Sequence, residues 1–141
     1  MASQGLYDHI GGGFFRYTTD PDWQTPHFEK MLYDNAQLAS VYLEAATVLA
    51  RPDYGDVALE TLAFMLRDMQ DPSGAHVAAL SAVDGNDVEG GYYLWSRDEL
   101  QDVLDADGYR AVEAAWLGSN AAPFEQGYLP LWQAGSDAMF T

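Results

Sequence analysis

The chain has 141 residues, 48% of them hydrophobic, which is enough for one domain with a core rather than a disordered segment. Twenty-two acidic side chains against 6 basic ones give a net charge of −16, leaving no basic footprint for a nucleic-acid backbone or an anionic membrane. The absence of cysteine excludes disulfides, zinc–thiolate sites and thiol catalysis by this chain.

The first residues, Met1-Ala-Ser-Gln-Gly5, carry neither the basic nor the apolar part of a signal peptide. No later apolar run reaches the roughly 20 residues that span a bilayer, so a cytoplasmic location is expected. Residues 1–25 read as irregular and glycine-rich, centred on Gly11-Gly12-Gly13. Thr25-Pro26 has the pattern of an N-cap followed by the first helical position, predicting a helix from Pro26 to about Ala50. At 100° per residue, Glu29, Lys30, Tyr33, Gln37, Ser40, Glu44 and Thr47 share one narrow arc, and most of the rest is apolar. Such a helix is expected to be buried over most of its circumference.

Arg51-Pro52-Asp53 is a break. A second helix is predicted over about Tyr54 to Gln70, burying Ala58, Leu62, Met65, Leu66 and Met69, and Asp71-Pro72-Ser73-Gly74 ends it. Residues 75–83 and 91–95, with Asp84-Gly85 between them, predict a small β-hairpin. Ser96-Arg-Asp-Glu99 is a capping box opening a third helix to about Asp105, and Gly108 to Leu117 reads as a fourth, stopped by Gly118. Ser119 to Thr141 gives no clear element. Successive helix–turn–helix pairs point to antiparallel helical hairpins. The acids, mostly aspartate, are spread along the chain, as in halophilic proteomes, where a dense acidic surface stays hydrated in high salt.

Two segments concentrate chemistry. Asp8, His9 and Arg16 flank the triple glycine, and His9 has the near-neutral pKa of a general acid or base, or of a hydrogen-bonded structural histidine. His27 and Asp34 would lie about 20° apart around the predicted helix and about 10 Å apart along it, able to reach one substrate but not each other. Lys30 and Asp34, four residues apart, fit a plain ion pair. Asn35 projects from the middle of the apolar face, where an amide must find hydrogen bonds, most simply by tying a neighbouring loop. Tyr17, Trp23, Phe14 and Phe15 fit either a sugar-stacking platform or core. The glycines are no dinucleotide fingerprint, since neither a strand before them nor a helix directly after them is present. They allow close passage of the backbone past a helix or a ligand. The acidic run Asp84–Glu89 lacks the frame of a calcium loop. No metal site and no cofactor is expected.

Tyr7-Asp-His-Ile-Gly-Gly-Gly-Phe-Phe-Arg-Tyr17, Trp23, Pro26-His-Phe-Glu-Lys-Met-Leu-Tyr-Asp-Asn35, Leu66-Arg-Asp-Met-Gln-Asp-Pro72 and Glu89-Gly-Gly-Tyr-Tyr-Leu-Trp-Ser96 form an ordered series. Together they resemble the spermatogenesis-associated thioredoxin-domain proteins and their YyaL-type prokaryotic relatives. The likeness runs from about Gly5 to Leu131. It implies a mainly α fold: a partial α/α toroid of the six-hairpin glycosidase type, with a small β-hairpin insertion. By that resemblance the chain is one toroid piece, with the family's thioredoxin-like partner domain and later hairpins outside it. It also implies kinship with carbohydrate-active enzymes such as glycosidases and sugar epimerases, hence a sugar-like small-molecule ligand. The catalytic candidates are Asp8, His9, His27 and Asp34, and the substrate-binding candidates Arg16, Tyr17, Trp23 and Asn35. A non-catalytic helical interaction module and an inactive remnant are the alternatives. An uncovered apolar helix face predicts self-association. The chain departs from the family pattern at Ala75-His-Val-Ala-Ala-Leu-Ser-Ala82, where relatives carry a Gly-Phe-Tyr-Ser-Ala run.

Overall fold

The predicted helix start at Pro26 is replaced by extended chain. In the computed structural model, which describes residues 1–117 and 124–131, the elements run β1 (Tyr17–Thr18), β2 (Pro26–His27), β3 (Lys30–Met31), α1 (Leu32–Val48), α2 (Pro52–Asp68), β4 (Ala79–Leu80), α3 (Arg97–Val103) and α4 (Ala106–Val112). A π-helical turn, Glu113–Leu117, continues α4. The Asp20 carboxylate explains the shift. It accepts from the backbone N–H of Asp22, Gln24 and Thr25, so the polar groups before Pro26 are satisfied in a turn and not by a helix. That turn folds β2 back onto β1, with Tyr17 opposite His27 and Thr18 opposite Pro26. Pro26 needs no N–H at the start of a strand.

From Pro26 to Met31 burial then alternates. Pro26, Phe28 and Lys30 point inward, while His27, Glu29 and Met31 are half-buried. Helix α1 starts at Leu32, with Met31 as an N-cap whose side chain makes no cap hydrogen bond. It ends in a full Schellman arrangement: Arg51 N–H donates to Ala46 O, Ala50 N–H donates to Thr47 O, and Ala50 sits at φ 51°. Pro52 opens α2 at the first helical position. The two helices pack as a hairpin across Leu49-Ala50-Arg51.

The expected faces of both helices need correction. α1 buries Asn35 and Ala39 but exposes Val41 and Val48, which share its outer side, so that side is uncovered. α2 buries Ala58, Thr61 and Phe64, with Met69 just beyond it, while Leu62 and Leu66 face out. The rotation follows from packing. Thr61 can be inward because its hydroxyl donates to Val57 O, and Phe64 lies directly under the glycine loop.

That loop is why the triple glycine exists. Gly12 and Gly13 have φ of 76° and 81°. A Cβ on Gly13 would lie 2.4 Å from Phe64 Cδ1, and one on Gly12 2.9 Å from Glu60 O. The glycines let backbone lie against a helix, α2. Phe14 and Phe15 follow into the main core with Leu6, Tyr7, Phe28, Leu94 and Leu129.

The predicted hairpin between 75–83 and 91–95 does not form. Its first arm instead pairs with the extended chain before α1, Lys30 opposite Leu80 and Met31 opposite Ala79. Asp84 closes a tight turn by accepting from Asn86 and Val88 N–H, and a bridge joins Val83 to Glu89. Gly90, at φ 73°, then turns the chain away beneath Phe28, and Trp95 pairs with Tyr128. The Ser96–Glu99 capping box is present at α3. Helix α4 opens earlier than Gly108, on the Asp105 N-cap. Gly118 and most of the 119–141 tail lie outside the described residues. The described architecture is thus mainly helical with two small antiparallel pairs. Among the described residues no helix is long and apolar enough to cross a membrane.

Candidate functional site

Lys30 is the centre of the best-formed site. Its side chain is 1% exposed. The Lys30 ammonium donates to Asp8 Oδ2 at 2.7 Å and to Gly12 O at 2.8 Å. Three rings surround it: Phe64 at 4.3 Å, Tyr93 at 4.9 Å and Phe15 at 5.0 Å from their centroids. Each comes from a different part of the chain, namely α2, the segment after the acidic turn, and the end of the glycine loop. Removal from water pushes the Lys30 pKa down from its usual value, while the Asp8 charge works against that shift.

Asp8 is placed by its other oxygen. Oδ1 accepts from Ile10 and Gly11 N–H, an Asx turn that starts the glycine loop and leaves Oδ2 for Lys30. Arg67 holds the far side of the loop by donating to Gly11 O at 2.6 Å, and it also grips Asp68 through two hydrogen bonds.

These groups line a cavity of about 500 Å³, with Tyr92, Tyr93, Ser81 and Asp84 across from them. The Tyr93 hydroxyl has no hydrogen-bond partner among the described residues. Burial raises its pKa, with the Asp8 and Asp68 carboxylates adding to the shift. Tyr93 is therefore a neutral donor and acceptor at the cavity wall. Tyr92, 78% exposed and edge-on to Tyr93, is a free aromatic face at the rim. The formal charges of Asp8, Lys30, Arg67 and Asp68 cancel, and Asp84 leaves the lining with one negative charge in excess. Such a wall suits a neutral ligand with several hydroxyl groups better than an anion.

A second cavity, about 710 Å³, lies on the other side of the loop, lined in part by Tyr7, His9, Tyr42, Tyr54, Asp56 and Glu60. Tyr7 donates to Glu60 Oε2 at 2.5 Å. His9 Nε2 is 3.2 Å from Gln4 O, and burial lowers its pKa, which favours the neutral ring.

The sequence candidates are thus dispersed. Asp8 lines the first cavity and His9 the second. Arg16 pairs with Glu29 at 2.9 Å, and Asp34 contributes to the field that raises the Arg16 pKa. His27 stacks on Tyr17 with ring centroids 5.0 Å apart and lies 4.0 Å from Glu89. His27 and Asp34 do not share a helix, so the predicted placement of both on one helix margin is corrected. Lys30 reaches Asp8, and the expected Lys30–Asp34 pair is absent. Trp23 stands exposed at φ 62° in the Asp20 turn. Asn35 ties the glycine loop: its Oδ1 accepts from Phe14 N–H at 2.7 Å, and its Nδ2 donates to Phe14 O and Met31 O. Lys30, Arg67, Asp68 and Tyr93 were absent from the sequence candidates. Arg67-Asp68 and Tyr92-Tyr93 lie inside the motifs that carry the family resemblance, the one sequence signal that pointed at them. Among the described residues no three His, Asp or Glu side chains gather to hold a metal ion.

No family model matches the chain. It is 42% identical to human spermatogenesis-associated protein 20 over 123 residues, 84% of this chain and 16% of that protein. The mouse protein of the same name is 42% identical over 109 residues, covering 74% of this chain and 14% of the relative. An uncharacterised Caenorhabditis elegans protein is 33% identical over 111 residues, 74% of this chain and 15% of that one. The chain therefore spans about one sixth of the length of the curated relatives it matches. These homologues support kinship with the spermatogenesis-associated protein 20 family.

Proposed function

We propose that the chain forms one wall of a binding cavity for a hydroxyl-rich, sugar-like small molecule, as part of an α/α-toroid protein related to carbohydrate-active enzymes. The observation that carries this reading is the unpartnered Tyr93 hydroxyl beside Asp8 and Asp68 in a cavity with an open aromatic rim. Hydroxyl groups need both donors and acceptors, and Arg67, Tyr93 and Asp68 supply them within one space. The much greater length of the relatives fits a cavity completed by further chain. Calorimetric titration with neutral monosaccharides and their alditols is expected to give saturable heat. Tyr93→Phe, which removes a hydroxyl without a structural partner, is expected to weaken binding about tenfold. A flat titration across the panel overturns the reading.

A second reading, an interaction module that self-associates, is favoured by the outer faces of α1 and α2. Val41 and Val48 on one helix and Leu59, Leu62 and Leu66 on the other are exposed. Sedimentation is expected to show a concentration-dependent dimer that strengthens with salt, as repulsion is screened, and that is lost in Val41→Glu/Val48→Glu. A monomer at every concentration and salt level rejects it.

A further inference from the structure

We propose that Lys30 is the covalent attachment point for a carbonyl-bearing ligand of the first cavity, held as an imine. This rests on the reading of that cavity as a small-molecule site and names a second requirement of the ligand: an aldehyde or ketone carbon beside its hydroxyl groups.

The first support is the choice of residue. Of the 6 basic side chains, five are arginine, and the single lysine is the one buried at the cavity. A buried ion pair with Asp8 could be made by the planar, always-charged guanidinium. A primary amine that can lose its proton is what arginine cannot supply. The second support is surroundings. Phe15, Phe64 and Tyr93 enclose the ammonium with ring faces and keep bulk water away, the setting in which an amine becomes a nucleophile. The lowered pKa agrees with that geometry. The third is a proton carrier. Asp8 Oδ2 sits 2.7 Å from Nζ, while Oδ1 stays engaged by the loop, so the carboxylate keeps its position whichever side holds the proton.

The step balances without an outside reagent. Asp8 takes one proton from the Lys30 ammonium. The amine lone pair forms a bond to the carbonyl carbon, and the C=O π electrons move to oxygen, which takes up the proton. A second N–H proton leaves nitrogen as the C=N bond forms and the C–O bond breaks. The hydroxyl departs with a proton delivered by Asp8. Amine plus carbonyl gives imine plus water, with no oxidation or reduction.

Only two kinds of primary amine exist in the chain, Lys30 and the α-amino group. Glycolaldehyde, a hydroxylated aldehyde, with cyanoborohydride added as hydride donor at neutral pH, converts any imine into a stable secondary amine. Mass mapping of the folded protein is expected to place the adduct on the Lys30 peptide at least as fast as on the α-amino group. Labelling of the α-amino group alone, with Lys30 reacting only after unfolding in urea, overturns the proposal and leaves Lys30 as a plain buried cation. Alditols carry no carbonyl, so alditol heat without Lys30 trapping sinks the imine but not the cavity reading. Absence of both sinks the two together.

Discussion

Lys30→Met is expected to lower the unfolding free energy by about 3–5 kcal/mol, the usual cost of leaving one member of a buried ion pair alone. Asp8 is almost fully buried and would lose its direct ion-pair partner, keeping only the weaker influence of Arg67. Gly12 O would lose a donor as well. Methionine is one heavy atom shorter than lysine and keeps most of its apolar stem, so the loss reports mainly charge and hydrogen bonding. The double variant Asp8→Asn/Lys30→Met tests the cause. The asparagine oxygen can still accept from Ile10 and Gly11 N–H, and the unpaired charge is gone. Urea unfolding should then return at least half of the lost stability. If the double variant is as weak as Lys30→Met, the packing of the lysine stem, and not its charge, was the stabilising element.

Asn35→Ala is expected to cost about 3 kcal/mol, because it strands the N–H and C=O of Phe14 in the core at once. The side-chain amide of Asn35 acts there as a substitute strand, giving Phe14 the donor and acceptor that no neighbouring backbone offers. Asn35→Asp separates shape from chemistry. A carboxylate can accept from Phe14 N–H but meets Phe14 O with a negative charge, so its loss should match or exceed that of alanine. A melting point for Asn35→Asp equal to that of the unsubstituted protein would show that the amide donor contributes nothing.

These two residues also show what could be read from the sequence and what could not. Asn35 was legible, because an amide in the middle of an apolar stripe needs a partner and the glycine loop was the nearest candidate. The capping box at Ser96 and the break at Pro52 were legible too, since both are set by local backbone chemistry. Lys30 was not. Counted as a surface charge, it spoils the alternation of Pro26, Phe28 and Lys30 and makes the segment look helical. Counted as inward, it puts the three in phase as extended chain. What holds Lys30 inward is Asp8, 22 positions away, and no local rule contains it. The same holds for the cavity. Arg67 and Asp68 meet Tyr93 at one cavity although 25 residues of chain separate Asp68 from Tyr93, a convergence that no local pattern contains. The outward turn of Leu62 and Leu66 is likewise fixed by what α2 packs against.

The glycine loop has one more consequence. Asp8 and Gly11 belong to one cavity, and Tyr7 and His9 to the other. The loop therefore contributes to the lining of both cavities. Its middle cannot thicken, since even a methyl group at Gly12 or Gly13 would collide with α2. Nor can it drift freely, with Lys30 and Arg67 holding it from one side and Asn35 anchoring its end. Any change in its position would therefore alter the lining of both cavities at once.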